Sequence, residues 1–156
     1  MEIRPATVND INRILDLLSQ VLEIHAKLRP DLFMSGTTKY SKEDLETILN
    51  DANKPTCVAT IDNYVVGYAR CQIRIPTSNM YPVKIFHLDD LCVDEKYRHQ
   101  GIGEALYHKV VETAKENDCY EITLNAWPGN DAALKFYEKM GMKTRSVFME
   151  HIMKSK

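Results

Sequence analysis

The stretch that decides the fold reads Leu91-Cys92-Val93-Asp94-Glu95-Lys96-Tyr97-Arg98-His99-Gln100-Gly101-Ile102-Gly103. An apolar strand runs here into a polar, glycine-containing turn, and an amphipathic helix is predicted from Gly101 onward. Backbone N–H groups at a helix start have no partner within the helix and lie at the positive end of its dipole, so they suit a pyrophosphate. The glycine spacing alone fits an ordinary tight turn equally well.

The turn differs from two other phosphate-binding loops. A dinucleotide-binding turn needs a third glycine and an acidic residue at a fixed distance downstream, and neither is found here. A P-loop ends in Gly-Lys-Ser/Thr, whereas this turn continues from Gly103 into Glu104. Nucleotide binding of either kind is therefore not expected.

Periodicity on both sides of this stretch predicts the remaining elements. Upstream we expect a strand at 2–6, a helix capped by Thr7 or Asn9, a helix starting at Ser41, a hairpin of 56–61 and 64–75, and a strand at 84–93. Downstream we expect a strand at 120–127, a helix from Asn130 to Gly141, and one or two strands within 142–153. The order predicts an α/β fold, more strictly an α+β mixed sheet, with helices on both faces and parallel pairing confined to one strand-helix-strand unit.

Length and composition exclude several classes of protein. A chain of 156 residues fits a single domain over 1–156, and 44% hydrophobic residues without a run of about 20 apolar ones argue against a membrane span. The first ten residues lack the basic-then-apolar pattern of a secretory signal. Twenty basic and 22 acidic residues give a net charge of -2 without a basic cluster, so nucleic acid is not an expected partner.

The four cysteines stand singly in apolar segments. None forms the CxxC pair that binds zinc or cycles between redox states. They are predicted to be reduced core residues of a cytoplasmic protein, and no metal site is expected.

Two motifs make the sequence resemble the GCN5-related N-acetyltransferases, the GNAT family. The family's Gln/Arg-x-x-Gly-x-Gly/Ala motif appears as Arg98-His99-Gln100-Gly101-Ile102-Gly103, and a second motif appears as Asn130-Asp131-Ala132-Ala133-Leu134-Lys135-Phe136-Tyr137-Glu138-Lys139-Met140-Gly141. The predicted element order matches the family along essentially the whole chain. The resemblance implies the GNAT acyl-CoA N-acyltransferase fold, in which the mixed central sheet splays between two parallel strands beside a bulge in the first of them.

The resemblance also implies the cofactor and where it binds. Acetyl-CoA would lay its pantetheine arm in the splay against strand backbone, with its pyrophosphate on the N–H groups of the glycine turn and with Asn130 on the facing helix. The cofactor-binding residues implied in this way are Leu91, Cys92, Val93, Arg98, His99, Gln100, Gly101, Ile102, Gly103, Glu104, Asn130 and Tyr137.

The strand before the glycine turn carries polar residues that a buried strand should not contain. Burying an unpaired carboxylate costs several kcal/mol, so such residues have either a charged partner or a function. Period-two alternation predicts His87 and Asp89 on one face and Asp90 on the other. Leu91 and Val93 are predicted on the face of His87.

Family precedent gives these positions catalytic roles. Acidic or histidine residues that act on the substrate match His87 and Asp89 in several GNAT enzymes, so both are candidates for removing a proton from the amine. We expect Asp89 to raise the pKa of His87 and to attract a cationic acceptor. Simple pairing with an arginine remains the alternative for each of them.

Three further residues have alternative interpretations. Tyr137 matches the family tyrosine that protonates the leaving thiolate, but beside Phe136 it also fits plain core packing. Cys92 is predicted to face away from the catalytic side, which argues against a covalent acetyl-cysteine. Trp127 either lines the acceptor pocket or packs at a strand end.

The function implied is transfer of an acetyl group to a primary amine of a small molecule or peptide, by direct attack in a ternary complex. A non-catalytic acyl-CoA sensor or partner-binding module on the same fold is the alternative from another class. A transferase for larger acyl groups is a third. A homodimer is compatible with the resemblance, although no sequence pattern shows one.

Overall fold

The computed structural model describes residues 1–154 and contains a five-stranded mixed sheet with the order β1-β2-β3-β4-β5. The strands are β1 (Glu2–Pro5), β2 (Thr56–Ile61), β3 (Tyr64–Arg74), β4 (Ile85–Val93) and β5 (Glu121–Thr123). The helices are α1 (Ile11–Leu28), α2 (Lys42–Leu49), α3 (Ile102–Glu116) and α4 (Asp131–Lys139). Neighbouring strands are antiparallel except β4 and β5, which are parallel, so the predicted mixed α/β fold is confirmed.

Helices cover both faces of the sheet, as predicted. One face packs against α1 and α2 through Ile14, Leu17 and Leu45, and the other packs against α3 through Leu106 and other buried apolar residues. Each such side chain contributes about 1.5–3 kcal/mol when it is fully removed from water. These two cores hold β3 and β4 in the middle of the molecule.

Local sequence features begin the elements where they were expected. Ser41 caps α2 by accepting a hydrogen bond from the Asp44 amide at 3.0 Å, and Asp44 accepts one from the Ser41 amide at 2.9 Å. The β2–β3 hairpin turns at Asp62 and Asn63, which have φ angles of 49° and 63°. Positive φ at both central residues gives the turn the twist that a two-residue hairpin requires.

A β-bulge interrupts the pairing of β3 with β4. Arg70 lies opposite Asp90 and Cys71 lies opposite Leu88, so Asp89 is an extra residue on β4. The bulge implied by the family resemblance is therefore present in the expected strand.

The bulge overturns the predicted arrangement of side chains on β4. Leu91 and Val93 pack with α3, whereas Asp89 and Asp90 both pair with Arg70 on the side of α1 and α2. Strict alternation failed because the extra residue shifts every later side chain by one position. For the same reason Cys92, predicted to face away from the catalytic side, packs with α1 on the side of the acidic pair.

Two predicted strands are shorter or missing. The strand expected at 120–127 ends at Thr123, and the segment 142–154 contains no strand although one or two were expected. A strand is defined by its pairing, and within residues 1–154 these segments pair with no neighbouring strand. No helix in the described part of the chain is long and apolar enough to cross a membrane.

Candidate active site

The parallel strands β4 and β5 separate in the middle of the sheet. Their pairing consists of Ile85 with Glu121, Phe86 with Ile122 and His87 with Thr123, and it stops there. Beyond this point β4 continues to Val93, bonded to β3 on its other side only. Its remaining edge carries backbone N–H and C=O groups that need an external partner.

The glycine turn lies at the end of this gap. Gly101 has a φ of 79° and precedes α3, whose start is capped by no side chain. The N–H groups of the first turn therefore remain open, because they cannot bond within the helix. A Cβ on Gly103 would be in ordinary contact with the Phe136 ring at 3.5 Å and with Val93 Cγ2 at 3.7 Å, so Gly103 packs against α4 and the end of β4.

Buried polar contacts fix the turn to the rest of the fold. Asp94 accepts a hydrogen bond from the Lys96 amide at 3.0 Å and forms an ion pair with Arg13 at 2.7 Å. Arg13 also donates to the Val65 carbonyl at 3.0 Å. Burial raises the pKa of Asp94, but the Lys96 amide and Arg13 outweigh it and lower the pKa overall. The negative charge of Asp94 is thus retained under the turn.

The other residues expected to bind the cofactor surround the same gap. Arg98 donates to the Val93 carbonyl at 3.3 Å, while His99 and Gln100 are exposed. Glu104 forms an ion pair with Lys139 of α4 at 3.5 Å. These contacts leave the backbone of the turn accessible to an anion.

Asn130 caps the helix that carries Tyr137. Its side-chain oxygen accepts a hydrogen bond from the Ala133 amide at 3.4 Å. The predicted helix start is confirmed, and the amide nitrogen of Asn130 has no partner among residues 1–154. That nitrogen remains available to a ligand in the gap.

His87 stands where the gap begins. The imidazole is 7% exposed, its Nδ1 lies 2.8 Å from Thr123 Oγ1, and its Nε2 lies 3.7 Å from Asp89 Oδ1. Burial and then Arg74 lower the pKa of His87, and Asp89 opposes them without outweighing them. Asp89 does raise the pKa of His87, as expected, but the pKa is lowered overall because burial and Arg74 have the larger effect.

Arg70 forms the centre of a buried charged cluster, in which Asp89 and Asp90 make the arginine pairing that was the alternative interpretation of these polar strand residues. Its guanidinium lies 3.1 Å from Asp89 Oδ2 and 3.6 Å from Asp90 Oδ2, hydrogen-bonds to the Tyr40 hydroxyl and stacks on the Tyr40 ring. Lys39 approaches Asp90 to 3.2 Å. Both carboxylates are therefore already matched by cations.

The cluster keeps unused hydrogen-bonding capacity. Nε and Nη1 of Arg70 and the Oδ2 atoms of Asp89 and Asp90 are buried without a hydrogen-bond partner among the described residues. Such groups are costly to bury, so their geometry is held by the surrounding fold rather than by ideal bonding. The bulge brings the two carboxylates to one guanidinium.

Tyr137 packs beside the aromatic residues of α3 and α4. Its ring centroid lies 5.2 Å from that of Phe136 and 6.4 Å from that of Tyr107. Its hydroxyl makes no hydrogen bond within residues 1–154. Burial, followed by Cys92, Tyr107 and Asp90, raises the pKa of Tyr137 well above the ordinary tyrosine value. The hydroxyl is therefore protonated at neutral pH and available to a ligand.

Trp127 lies among polar and aromatic residues rather than in either core. The Arg29 guanidinium lies 5.4 Å from the centroid of the indole, and Phe33 meets the indole edge to face at 5.6 Å. His25 packs on Phe33 at 5.1 Å. Phe33, from the segment between α1 and α2, thus packs against Trp127, which follows β5 in the chain, and we call these two residues the aromatic wall.

Two alternative chemistries find no support in the geometry. The Cys92 thiol is buried, and burial strongly raises its pKa, which disfavours the reactive thiolate. Within the described chain, no three histidine, cysteine or acidic residues are grouped to hold a metal ion.

Comparison with known proteins identifies the class to which this fold and gap belong. The model of the acetyltransferase (GNAT) family matches residues 19–142. The chain therefore belongs to the GNAT family, and it is an acetyltransferase. This finding disfavours the alternative of a non-catalytic binding module.

Individual relatives are similar over nearly their whole length. Glucosamine 6-phosphate N-acetyltransferase of Trypanosoma brucei brucei is 27% identical over 143 residues, which are 92% of this chain and 89% of that protein. The structure of a tetramutant of the BH1408 protein from Bacillus halodurans has a TM-score of 0.92 at 27% identity, covering 98% of this chain and 100% of that one. Aminoglycoside N-acetyltransferase AAC(6')-Iy in complex with CoA has a TM-score of 0.73 at 19% identity, covering 97% and 99%.

Proposed function

We propose that this enzyme transfers an acetyl group from acetyl-CoA to a primary amine of a small molecule or peptide, by direct attack within a ternary complex. The observation that carries the proposal is the gap between β4 and β5. It begins at His87, ends at the uncapped start of α3, and is flanked by a tyrosine whose hydroxyl has no partner within residues 1–154.

Acetyl-CoA fits this gap as an extended chain with an anionic end. Leu91 and Val93 supply backbone groups for the pantetheine arm, with Cys92 between them, and Asn130 reaches the arm from α4. The backbone from Arg98 through Gln100 and Ile102 to Glu104 holds the pyrophosphate, because open N–H groups and the helix dipole both favour an anion there. Gly101 and Gly103 keep side chains away from it.

Bound acetyl-CoA supplies a thioester carbonyl carbon that a neutral amine can attack, with a thiolate as the leaving group. A bond forms between nitrogen and this carbon, and the bond between carbon and sulfur breaks. His87, neutral because its pKa is lowered, accepts the proton that the amine loses, directly or through water. Tyr137 donates its proton to the departing sulfur and regains one from solvent.

The acceptor is proposed to approach along the aromatic wall of Trp127 and Phe33. Named relatives act on a phosphorylated amino sugar and on aminoglycosides, which are chemically different amines. We propose that residues 1–156 form one catalytic domain. The four free cysteines fit a reducing cytoplasm.

An amine panel with detection of released thiol tests the proposal. The panel should contain amino sugars and their phosphates, aminoglycosides, polyamines, amino acids and peptides, each assayed with acetyl-, propionyl- and butyryl-CoA. We expect thiol release that depends on one acceptor class and a product heavier by one acetyl group in mass spectrometry. Thiol release that is independent of every amine would contradict transfer and indicate only hydrolysis.

A further inference from the structure

Arg74 is a half-exposed arginine on the same face of the sheet as His87. In the pairing of β3 with β4, Gln72 lies opposite His87 and Arg74 lies opposite Ile85, and the bulge does not interrupt this part of the register. Residues opposite each other in neighbouring strands point to one face, and every second residue of a strand returns to that face. Gln72, Arg74 and His87 therefore share a face, with Arg74 at the end of β3.

The guanidinium of Arg74 is close to the proposed proton acceptor. His87 Nε2 lies 3.7 Å from Asp89 Oδ1, and Arg74 Nη2 lies 3.9 Å from the same oxygen. The sum of these two distances is therefore the upper limit of the separation between the imidazole and guanidinium nitrogens. Burial, and after it Arg74, lowers the pKa of His87, which agrees with this proximity.

The positive charge of Arg74 is poorly balanced by the acids beside His87. Arg70 lies 3.1 Å from Asp89, and Lys39 lies 3.2 Å from Asp90, so each carboxylate already has a closer cation. Arg74 reaches Asp89 only as its second and more distant cation. A further ammonium group would be repelled at this place, whereas an anion would be attracted.

A hydrogen bond orients the Arg74 side chain and leaves its terminal N–H groups unused. Arg74 Nε donates to Gln72 Oε1 at 3.2 Å, and neither Nη atom makes a hydrogen bond within residues 1–154. The side chain is 49% exposed, so a ligand can reach it. The planar guanidinium presents parallel N–H groups whose geometry matches the two oxygens of a carboxylate or phosphate.

We propose that Arg74 binds an anionic group, a carboxylate or a phosphate, that the acceptor carries a few bonds away from its reactive amine. The inference rests on the proposed function, because it assumes that the amine gives its proton to His87. The short separation between His87 and Arg74 limits the number of bonds between the two groups of the acceptor. Short amino acids and phosphorylated amino alcohols fit this description, whereas a polyamine, which adds a second cation, does not.

Matched pairs of amines test the preference for an anion. β-Alanine and β-alaninamide differ in the carboxylate, and O-phosphoethanolamine and ethanolamine differ in the phosphate. We expect kcat/KM to be about 10–100-fold higher for the anionic member of one pair, and that pair distinguishes a carboxylate from a phosphate. An anion makes the neighbouring amine more basic, so the neutral member has more free amine and this bias works against the expected result.

Substitution of Arg74 assigns the preference to this residue. Arg74→Gln should lower kcat/KM about 10–100-fold for the anionic probe and less than about 2-fold for its neutral partner. Arg74→Lys should keep part of the preference, because the charge remains but the parallel N–H groups are lost. All variants are assayed at mildly alkaline pH, where His87 is neutral with or without Arg74.

Arg145→Gln is the matched control for Arg74→Gln. The Arg145 side chain is 53% exposed and pairs with Glu121 at 3.2 Å, so its charge is balanced within the chain. The control removes the same charge from a similarly exposed position and should keep the wild-type preference. Circular dichroism checks that each variant is folded.

Calorimetric titration of the CoA-saturated enzyme with the same probes gives a readout that needs no turnover. An anion preference in binding that Arg74→Gln removes, without acetyl transfer to any amine, would support the anion contact and contradict the proposed function. Acetyl transfer without any such preference would do the reverse. Two outcomes overturn the proposal: a wild type that neither binds nor acetylates an anionic probe better than its neutral partner, and an Arg74→Gln variant that weakens both members of a pair equally.

Discussion

His87 shows how burial sets the charge of a single residue. The imidazole is closed off from water, and Arg74 adds a nearby positive charge, so the protonated form is disfavoured. Asp89, which favours protonation, is itself matched by Arg70. His87 is therefore neutral at a lower pH than an ordinary histidine, as the proposed proton acceptor must be.

We expect the rising limb of the pH profile of kcat to lie below the ordinary histidine range. The proposed mechanism requires neutral His87, so we expect activity to be lost as the pH falls through the lowered pKa. His87→Gln should remove this limb and reduce kcat by about 10²–10⁴-fold. Measuring kcat against pH for an acceptor with slow chemistry provides the test.

Asp89→Asn serves as the diagnostic companion variant. Removing the carboxylate removes the contact that favours protonation of His87, so the limb should move to still lower pH. A limb that stays in place in both variants would show that His87 is structural. Because Arg70 and Arg74 already pair with Asp89, the KM for the acceptor should change little.

Tyr137→Phe should lower kcat about 10²-fold and leave acetyl-CoA affinity unchanged. The ring and its contacts with Phe136 and Tyr107 are preserved, and only the proton is lost. Since the pKa of Tyr137 is raised, the wild type should show no loss of this acid until the pH exceeds the ordinary tyrosine range. Wild-type turnover in the variant would show that the Tyr137 hydroxyl is not the acid and that the residue contributes only packing.

Candidate residues that belong to a contiguous motif could be predicted from the sequence, whereas those whose contacts depend on the register between two strands could not. Tyr137 and Asn130 belong to one contiguous motif. Arg70 is 30 residues from Tyr40 in the chain, and its contact with both aspartates depends on the bulge. A local pattern does not encode which residue of a neighbouring strand lies opposite another.

At the scale of elements, the turn between β4 and α3 should control cofactor binding. Acetyl-CoA at about 100 times its Kd should stabilise the native protein by about 2.7 kcal/mol and raise the Tm. Gly101→Leu should abolish this shift, because the side chain enters the space of the anion and the φ of 79° disfavours any side chain by about 1–2 kcal/mol.

Gly36→Leu is the matched control for that variant. Gly36 also has a positive φ, 81°, and a Cβ there would also meet nothing within 4 Å, but it lies in the segment between α1 and α2. Both variants should lower the Tm of the free protein, and only Gly36→Leu should keep the shift with acetyl-CoA. If Gly101→Leu retains the full shift, the anion does not bind at the start of α3.

Helices with strong hydrophobic periodicity were predicted well, whereas strands, which form only by pairing with a neighbouring strand, were predicted less well. The stripe of α1 and the motif around α4 locate helices because a helix satisfies its own backbone. A strand depends on its neighbour. β5 ends where β4 diverges, and residues 143–154, where strands were predicted, pair with no strand in the described part of the chain.

Across the whole molecule, Arg70 joins the segment between α1 and α2 to the sheet. Arg70→Met should cost up to about 3–5 kcal/mol of unfolding free energy, because it removes the guanidinium that pairs with both Asp89 and Asp90 and leaves each with one more distant or more exposed cation. Urea unfolding of the wild type and the variant at neutral pH measures this difference.

A second substitution distinguishes charge from packing. Adding Asp90→Asn to Arg70→Met should restore part of the lost stability, since one uncompensated charge is removed. If the double variant is less stable than Arg70→Met at neutral pH, the arginine acts through its packing on Tyr40 instead.

Because of the gap between β4 and β5, backbone amide exchange can report whether a ligand is bound. Amides on the open side of β4 have no acceptor within residues 1–154, so in the free enzyme they should exchange with deuterium far faster than those bonded to β3. An occupant that behaves as an inserted strand would slow only these amides. Exchange measured at Leu91 and Val93 therefore reports residence of a ligand in the sheet even when no acceptor amine is known and no turnover can be followed.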